Sequence, residues 1–575
     1  MKKYLIPLLI LIFSCCFSLA AFAYVNPVFS LPGGSYEGAS VLSLSLPDNA
    51  DKDTKIYYTL NGDEPTTASS EYVSPLTVLK EGDSCVVRAA CYGKDGELLG
   101  RIKTHTYFKA RKRTARVVCL TTDNKNLYDK KIGILENPDK SGKDWERPVH
   151  VEIYNASGTL LLAQNAGIRV FGGSSRIHDM VSFRLIARKD GYYDETKYNG
   201  SKNFKGNLLN RPYMAGKDKG EMQDKFARLV LRNGGNDSLG GLNCDPQNVN
   251  FLRDGTANNF LSLVAPKVAA QYSVFVTVYL NGKYYGVLDM KDDIGDDYFA
   301  DTYDLAEKDD VVIIKSELDT SRKCDEHKSG DYCRYCGVWF YYEVDNGEDS
   351  DLEDWTKLCT TALSASDAEY NAAFSKLSEK MDIDSFMQYM AVNLYLANTD
   401  WPHNNVRLWR YKGVAQPGNE YSDGKWRFAA RDMDFCFGRY EAKLSSDLYS
   451  LADTDTFRYV LSNYVPELSI KRAYPDSLYL QGLFDFCLKN DGFRTRFIAY
   501  CKSIASPRSR MRLANVFTSG MTQLQNEVPQ MIDFYQPKNY TMAIWQTAVN
   551  ASLDFIHTRS SYFLEDLTEA MGYYE

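Results

Sequence analysis

Two short segments of the chain carry acids and carboxamides at spacings that suit phosphoryl transfer. In the first, residues 398–405, Asp400 leaves a helix-like stretch, and Asn404 and Asn405 follow it by four and five residues. Phosphoryl transfer requires a carboxylate near the acceptor hydroxyl and oxygen ligands for a divalent cation. We therefore predict that Asp400 accepts the acceptor's proton and that the asparagines bind metal. The alternative is an Asp/Asn loop that hydrogen-bonds only to its own backbone.

The second segment, residues 425–438, reads as a short apolar strand that ends in Asp432-Met433-Asp434. Residues two apart on a strand lie on the same face. Two carboxylates at that position repel each other unless a cation or a basic group lies between them. Asp432 and Asp434 are therefore predicted metal ligands.

A third segment follows a predicted strand at residues 167–171 and could bind phosphate. Its turn consists of Gly172, Gly173, Ser174, Ser175 and Arg176. The backbone N–H groups of such a turn can surround phosphate oxygens, and two hydroxyls and a guanidinium lie beside them. The alternative is an ordinary surface turn.

The motifs of these segments resemble, in order, those of the spore coat protein H (CotH) family of atypical kinases. The resemblance implies a protein-kinase-like fold and the use of ATP with Mg²⁺ or Mn²⁺ to phosphorylate proteins. It also implies that residues 172–176 are the nucleotide loop. The spacing from Asp400 to Asn405 equals that between the catalytic Asp and a metal-binding Asn in protein kinases. The matching motifs are Asn398-x-Asp400-Trp401, Asn404-Asn405, Leu408-Trp409-Arg410, Trp426-Arg427-Phe428, Asp432-Met433-Asp434 and Phe437-Gly438.

Two positions depart from the family pattern. Members usually carry a lysine about five residues after the arginine of the turn, where this chain has Val181. Arg176, Arg184 or Lys189 could take over its contact with phosphate, with a different geometry. At Asp292 members commonly carry Glu, and the resemblance implies that this carboxylate orients a basic phosphate ligand; the alternative is a surface acid. Other family landmarks are retained at residues 231–237, 253–254 and 284–287.

Four candidate metal ligands occur in a charged insertion, separate from the motifs above. They are Cys324, His327, Cys333 and Cys336. These residue types could hold Zn²⁺, although their spacing fits no common zinc finger. Disulfides or free thiols are the alternatives, and disulfides are favoured in an exported chain.

The elements before these motifs predict a separate N-terminal module. Residues 24–112 show short alternating strands, and Asn61-Gly62 between apolar runs indicates a hairpin, which together favour a small all-β, immunoglobulin-like sandwich. Residues 27–30 and 56–66 resemble the accessory module found at the C-terminus of chitobiases and hexosaminidases. We predict no catalytic residue there. Its tyrosines bind glycan or pack within the sandwich.

The rest of the chain, residues 114–575, predicts an α+β domain. Strand patterns dominate from residue 117 to 315, and helical patterns follow residue 351. The expected domain is therefore kinase-like with a helical C-terminal portion. The basic run at residues 109–113 separates it from the first module and is interpreted as a solvated linker.

The N-terminus predicts export. A positively charged start, an apolar run at residues 4–17 and the small-x-small pattern at residues 21–23 are typical of a signal peptide. We predict that residues 1–23 are removed and that the product is periplasmic, at the cell surface or secreted. Lipidation at Cys15 or Cys16 is the alternative.

The charge of the chain narrows the range of partners. The formal net charge is −8, and removal of the leader with its two lysines makes it −10, which argues against nucleic acid and anionic membranes as partners. Beyond the leader we find no apolar run long enough to cross a bilayer. The sequence does not indicate an oligomeric state.

Two functions from different classes are consistent with these features. The first is an exported kinase that transfers phosphate from ATP to protein Ser or Thr hydroxyls with a divalent metal. The second is a non-catalytic surface or adhesion protein on a kinase-like scaffold, which is consistent with Val181 and with export away from the cytoplasmic ATP pool.

Overall fold

The computed structural model describes residues 24–195, 197–239, 249–318, 340–402, 404–438, 452–461 and 479–574. The predicted signal peptide, residues 1–23, lies outside the described residues. So do Cys324, His327, Cys333 and Cys336, and their zinc, disulfide and thiol alternatives therefore stay open.

The N-terminal region is all-β, as predicted. Its strands are β1 (Val28–Phe29), β2 (Gly34–Tyr36), β3 (Ser40–Leu42), β4 (Leu44–Ser45), β5 (Lys55–Thr59), β6 (Ser70–Glu71), β7 (Leu76–Val78), β8 (Ser84–Tyr92) and β9 (Lys103–Lys109). One sheet has the order β2-β9-β8-β5-β6, and β3-β7 and β1-β4 form two short pairs. Alternate residues of the central strand β8, Val87, Ala89 and Cys91, share a buried core with Leu42 and Ile56.

The next region forms a closed β-barrel. Its strands are β10 (Arg116–Thr121), β11 (Arg147–Tyr154), β12 (Leu160–Phe171), β13 (Ser182–Ala187), β16 (Arg228–Arg232), β17 (Ser273–Leu280) and β18 (Lys283–Asp292). A separate short pair is formed by β14 (Phe204–Lys205) and β15 (Lys225–Phe226). The barrel order is β10-β11-β12-β13-β16-β18-β17, and a parallel pairing of β10 with β17 closes it.

The N-terminal sandwich is docked on this barrel through buried polar contacts. Side chains alternate between the faces of a strand, so Arg88 of β8 points away from the sandwich core, and it is only 2% exposed. Its Nη1 lies 3.2 Å from a carboxylate oxygen of Asp123, just after β10. The hydroxyl of Ser84 donates to the carbonyl of Gly282, between β17 and β18, at 2.8 Å. The two regions therefore share an interface and are not joined by the linker alone.

A second sheet and a set of helices complete the α+β architecture, which confirms the predicted class. The sheet has the order β20 (Phe340–Asn346), β19 (Val311–Leu318), β21 (Arg407–Tyr411), β22 (Arg427–Ala429). None of the helices in the described ranges is long and apolar enough to span a membrane. The helices are α1 (Asn124–Tyr128), α2 (Arg253–Val264), α3 (Asp296–Tyr303), α4 (Asp349–Leu363), α5 (Tyr370–Lys380), α6 (Ile383–Tyr395), α7 (Thr456–Val460), α8 (Tyr479–Leu488), α9 (Asp491–Ile504), α10 (Pro507–Leu524), α11 (Val528–Tyr535) and α12 (Met542–Met571).

The basic linker is only partly solvated, which corrects its interpretation as a solvated segment: Lys112 is exposed, but part of the run is buried. The side chain of Arg113 is 2% exposed and donates to the hydroxyl of Tyr279 at 2.8 Å. Arg111 forms an ion pair with Glu527, whose side chain is fully buried. The Glu527 carboxylate also accepts from the hydroxyl of Thr277 at 2.7 Å. The linker therefore joins the sandwich to the barrel and to the C-terminal helices.

This buried carboxylate provides a stability test. We expect Glu527→Gln to lower the free energy of unfolding by about 3 kcal/mol, because loss of a buried charge leaves its basic partners uncompensated. Glu71→Gln is the matched control, since Glu71 pairs with Lys55 at the surface and such pairs contribute less than about 1 kcal/mol. Urea denaturation measures both. Equal small losses would contradict a buried linker.

Candidate functional site

The predicted base, Asp400, lies in a loop that follows helix α6. The loop is anchored to the helix because Asn398 Nδ2 donates to Asn393 Oδ1 at 2.9 Å. Asn404 Nδ2 and Asn405 Nδ2 both donate to Asp400 Oδ2, at 3.0 and 2.8 Å. A carboxylate only accepts hydrogen bonds, so each amide must present its nitrogen here. The amide oxygens of both asparagines are consequently directed away from Asp400 and can serve as metal ligands.

The two predicted metal carboxylates follow strand β22 and meet a single guanidinium. Arg232, at the end of β16, places Nη2 against Asp432 Oδ1 and 3.4 Å from Asp434 Oδ2. Asp434 is fully buried, and its Oδ2 also accepts from the backbone N–H of Asn236 at 2.7 Å. Asp432 is more open, with a side chain that is 26% exposed.

Backbone contacts hold the Asp400 loop beside these carboxylates at two points. Strands β21 and β22 pair antiparallel with Arg407 opposite Ala429. Asn405 therefore lies two residues before the paired segment, and Arg431 two residues after it. At the other end, the N–H of Phe437 donates to the carbonyl of Leu396, which precedes the Asp400 loop, at 2.8 Å. The sequence-predicted base and metal ligands are thus brought together.

The predicted phosphate turn is linked to the same region by hydrogen bonds of Asn233. Gly172 adopts φ +107°, a conformation that favours glycine. Asn233 Nδ2 donates to the carbonyl of Ser175 at 3.4 Å, while its Oδ1 accepts from the N–H of Gly235 at 3.0 Å. Gly235 immediately precedes Asn236, which binds Asp434. Residues 172–176 and the metal carboxylates therefore lie on either side of one short segment, residues 232–237.

Several arginines gather around Asp293, and one of them, Arg184, lies near the turn, with its guanidinium 4.8 Å from the centre of the Phe171 ring. Arg184 of β13 forms a two-point ion pair with Asp293, with contacts of 2.9 and 3.1 Å. Burial would raise the pKa of Asp293, but Arg184, Arg407 and Arg431 help to hold it below its usual value. Burial, and then the nearby Arg431, lower the pKa of Arg407 to about 10. Arg184, Arg407 and Arg431 therefore form a cluster of basic side chains around Asp293.

Two positions singled out from the sequence, Asp292 and Val181, lie away from this cluster. Asp292 is buried and forms an ion pair with Arg211 at 2.6 Å, and burial raises the pKa of Asp292 to about 7. Its neighbour Asp293, and not Asp292, contacts the arginine cluster. Val181 is 5% exposed within the main hydrophobic core, so its position does not face the arginines. Arg176 donates to carbonyls of the loop at residues 138–140.

Comparison with known families agrees with this arrangement. A family model described as CotH kinase protein matches residues 168–563, which is more than half of the chain. The chain belongs to the CotH kinase family. A model for the chitobiase/beta-hexosaminidase C-terminal domain matches residues 31–98. A search of curated proteins found no match.

In this CotH family member, the segment at residues 232–237 and helix α2 contribute residues whose roles were missed. Their family motifs were visible in the sequence, but nothing there showed which carboxylates they contact. Arg232 Nε lies 3.1 Å from Asp254 Oδ2, and the fully buried Lys291 lies 2.6 Å from the same oxygen. Burial would raise the pKa of Asp254, but Lys291 and Arg232 hold it at about 2. A continuous ionic network therefore runs from α2 to Asp432.

The donor set of this CotH site fits a divalent cation. Both Asp432 and Asp434 direct an oxygen to one cationic nitrogen of Arg232, and two amide oxygens are available from the neighbouring loop. Mg²⁺ and Mn²⁺ prefer such oxygen ligands. The ionic network contains four carboxylates, counting Asp289 beside Lys291, against two basic groups. It therefore has an excess of negative charge when all six groups are ionised.

A glycine beside the carboxylates gives a second stability test. An added Cβ at Gly235, which has φ +60°, would lie 2.3 Å from Asp434 Oδ2 and 2.5 Å from Arg232 Nη2. Gly418 is the matched control, because its φ is +79° and its Cβ would meet nothing within 4 Å. We expect Gly418→Ala to cost about 1 kcal/mol for the backbone alone. Gly235→Ala should cost about 2 kcal/mol more from overpacking, measured by urea denaturation; equal losses would contradict this packing.

Proposed function

We propose that this CotH family member is an exported kinase that transfers the γ-phosphate of ATP to Ser or Thr hydroxyls of a protein. The observation that carries the proposal is the arginine cluster at Arg184, Arg407 and Arg431. It provides basic side chains at a place other than that of the missing family lysine, and one of them, Arg431, immediately precedes the metal carboxylate Asp432. Membership of the family supports the reaction type.

Each side chain has a role that follows from its contacts. Asp400, oriented by two amide donors, accepts the proton of the attacking hydroxyl. Asp432 and Asp434, with the amide oxygens of Asn404 and Asn405, would hold Mg²⁺ or Mn²⁺, which neutralises charge on the phosphates when bound. The turn at residues 172–176 and the arginine cluster bind and orient the phosphate chain. The acceptor oxygen forms the new bond to phosphorus as the bond to the ADP oxygen breaks.

A direct assay tests the proposal. Residues 24–575 are incubated with labelled ATP and Mn²⁺, alone and with extracts of surface and secreted proteins as acceptors. We expect label in the protein or in an acceptor, and its loss in Asp400→Ala. Absence of label in every sample, or equal labelling by Asp400→Ala, would overturn the proposal.

Substitutions at two neighbouring acids distinguish a role of the arginine cluster in the reaction from an effect on stability alone. We expect Asp293→Asn to lower kcat/KM for ATP on the order of tenfold to a hundredfold, because Arg184 loses the ion pair that positions it. Asp292→Asn removes the adjacent buried carboxylate, which contacts Arg211 instead, and should change kcat/KM by less than about threefold per folded molecule. A larger effect for Asp292→Asn would show that the sequence-based role of Asp292 is right.

The alternative function is a non-catalytic binding protein, and one observation favours it. Arg232 already balances part of the negative charge of the two metal carboxylates with a group from the chain itself. The N-terminal module suggests a glycan as one candidate partner, although described tyrosines such as Tyr57 and Tyr92 pack against each other at 5.6 Å. Thermal unfolding with ATP and Mn²⁺ separates the two functions, because a ligand that binds the folded state raises Tm.

Export is part of the proposal. The basic and apolar start of the chain and the small-x-small pattern before residue 24 support it. Fractionation of cells that produce the full chain should find the processed protein outside the cytoplasm, with Tyr24 as its N-terminal residue. Unprocessed protein in the cytoplasm would contradict export.

A further inference from the structure

The side chain of Arg232 lies between the two carboxylates that are the proposed metal ligands. Arg232 Nη2 lies between Asp432 Oδ1 and Asp434 Oδ2, in contact with the first and 3.4 Å from the second. A guanidinium and a divalent cation compete for the same carboxylate oxygens, because both satisfy negative charge at short range. A guanidinium and a metal ion held at the same carboxylate pair also repel each other, because both are positively charged.

The other end of the guanidinium is fixed independently. Arg232 Nε lies 3.1 Å from Asp254 Oδ2. Asp254 is itself immobilised by Lys291 at 2.6 Å, by the N–H of Met433 at 3.0 Å and by Asn258 Nδ2 at 2.8 Å. Arg232 therefore has a second carboxylate partner, Asp254, to balance its charge when Asp432 is released.

The exposure of the two carboxylates indicates which of them an incoming cation reaches first. The Asp434 side chain is 1% exposed, whereas that of Asp432 is 26% exposed. An incoming cation therefore meets Asp432 first, and the contact it must replace is the one between Asp432 and Arg232. Asp434 stays in place because the N–H of Asn236 holds its Oδ2.

We infer that Arg232 is an internal counter-cation that closes the metal site of the metal-free protein and must leave Asp432 before a divalent cation binds. The inference rests on the metal ligands of the proposed function, but it requires neither ATP nor an acceptor. Removal of the guanidinium should leave the carboxylate pair open and more negative. The consequence is regulatory, because part of the negative charge of the metal-free site is already balanced and any cation that enters must displace a charge already in place.

Metal binding without nucleotide tests the inference. Mn²⁺ is titrated into residues 24–575 and free Mn²⁺ is followed by electron paramagnetic resonance. We expect Arg232→Gln to bind Mn²⁺ at least about tenfold more tightly than the unsubstituted protein, because a positive charge close to the cation has been removed. Asp434→Asn should abolish this gain, which places the bound metal at these carboxylates.

Arg188→Gln is the matched control for net charge. Arg188 also pairs with a carboxylate, Glu146, which lies outside the site. This variant should leave Mn²⁺ affinity unchanged within about twofold, since charges outside the site are largely screened by salt. Circular dichroism confirms that each variant is folded.

The outcomes separate this inference from the kinase proposal. Unchanged or weaker Mn²⁺ binding by Arg232→Gln, or no binding by any variant, would overturn the inference. Tighter binding without any phosphate transfer would leave it standing and count against the kinase alone. If Arg232→Gln does not fold, crystals of the unsubstituted protein with and without Mn²⁺ decide, because Arg232 must contact Asp432 only in the metal-free form.

Discussion

Asp400→Asn should lower the rate of phosphate transfer by about 10³-fold while leaving the fold intact, because general base catalysis contributes about 10²- to 10⁴-fold. The carboxamide has the same shape as the carboxylate but does not accept a proton at neutral pH. It also presents an NH₂ group where Asn404 and Asn405 now both donate to one oxygen. The loop thus loses both the base and part of its orientation.

The measurement is incorporation of label from ATP under saturating Mn²⁺, so that kcat is compared. Asp384→Asn provides the control, since Asp384 is a surface acid on α6 that pairs with Arg496. That variant should retain kcat within about twofold, as surface pairs contribute little. A normal kcat in Asp400→Asn would remove Asp400 from the reaction and return its loop to a structural role.

The secondary structure of the second domain was largely predictable from local patterns. Strand β17 and helix α6 fall in the regions predicted as strand-rich and as helical, because apolar strand-like runs and apolar helical periodicity are strong local signals. The predicted strand at residues 167–171 is the end of a longer strand, β12, because Ala163 to Ala166 also pair with β11. Barrel closure was not predicted. It depends on pairing between β10 and β17, which are distant in sequence and carry no local signal for each other.

The site was predictable where one segment carries the chemistry and not where several segments meet. Asp400 and Asp434 stand in recognisable local motifs. Arg232 acts through carboxylates about 200 residues away in sequence, and no local pattern reports that contact. Asp292 ends strand β18 and pairs with Arg211, whereas the next residue, Asp293, pairs with Arg184, and no local pattern distinguishes the two acids.

The basic linker is a second case in which the sequence did not show what charged side chains contact. A run of basic side chains is usually solvated, which made a solvated linker the favoured interpretation. The environment of the linker depends on Glu527, which lies among the C-terminal helices and has a fully buried side chain. A buried carboxylate requires a basic partner, and that requirement places Arg111 and Arg113 inside an interface.

We expect the second large effect from Asp434→Asn, which should weaken Mn²⁺ binding and, with it, lower the activity. Asn keeps the size of Asp434 and can still accept from the N–H of Asn236, so the fold should survive. It removes the negative charge from the buried ligand. Loss of a partner that only orients a metal ligand already costs about 10- to 100-fold in affinity, so loss of the ligand charge itself should weaken Mn²⁺ binding by at least about a hundredfold.

Asp351→Asn is the matched control for this experiment. Asp351 is also a buried carboxylate with basic partners, Arg410 at 2.6 Å and Lys412 at 3.3 Å, but it belongs to α4 and lies outside the site. We expect it to lower stability without changing Mn²⁺ affinity. If both variants bind Mn²⁺ as the unsubstituted protein does, Asp434 is a structural partner of Arg232 and the cation binds elsewhere. If only Asp434→Asn loses Mn²⁺, the carboxylate that Arg232 partly neutralises is the one the metal requires.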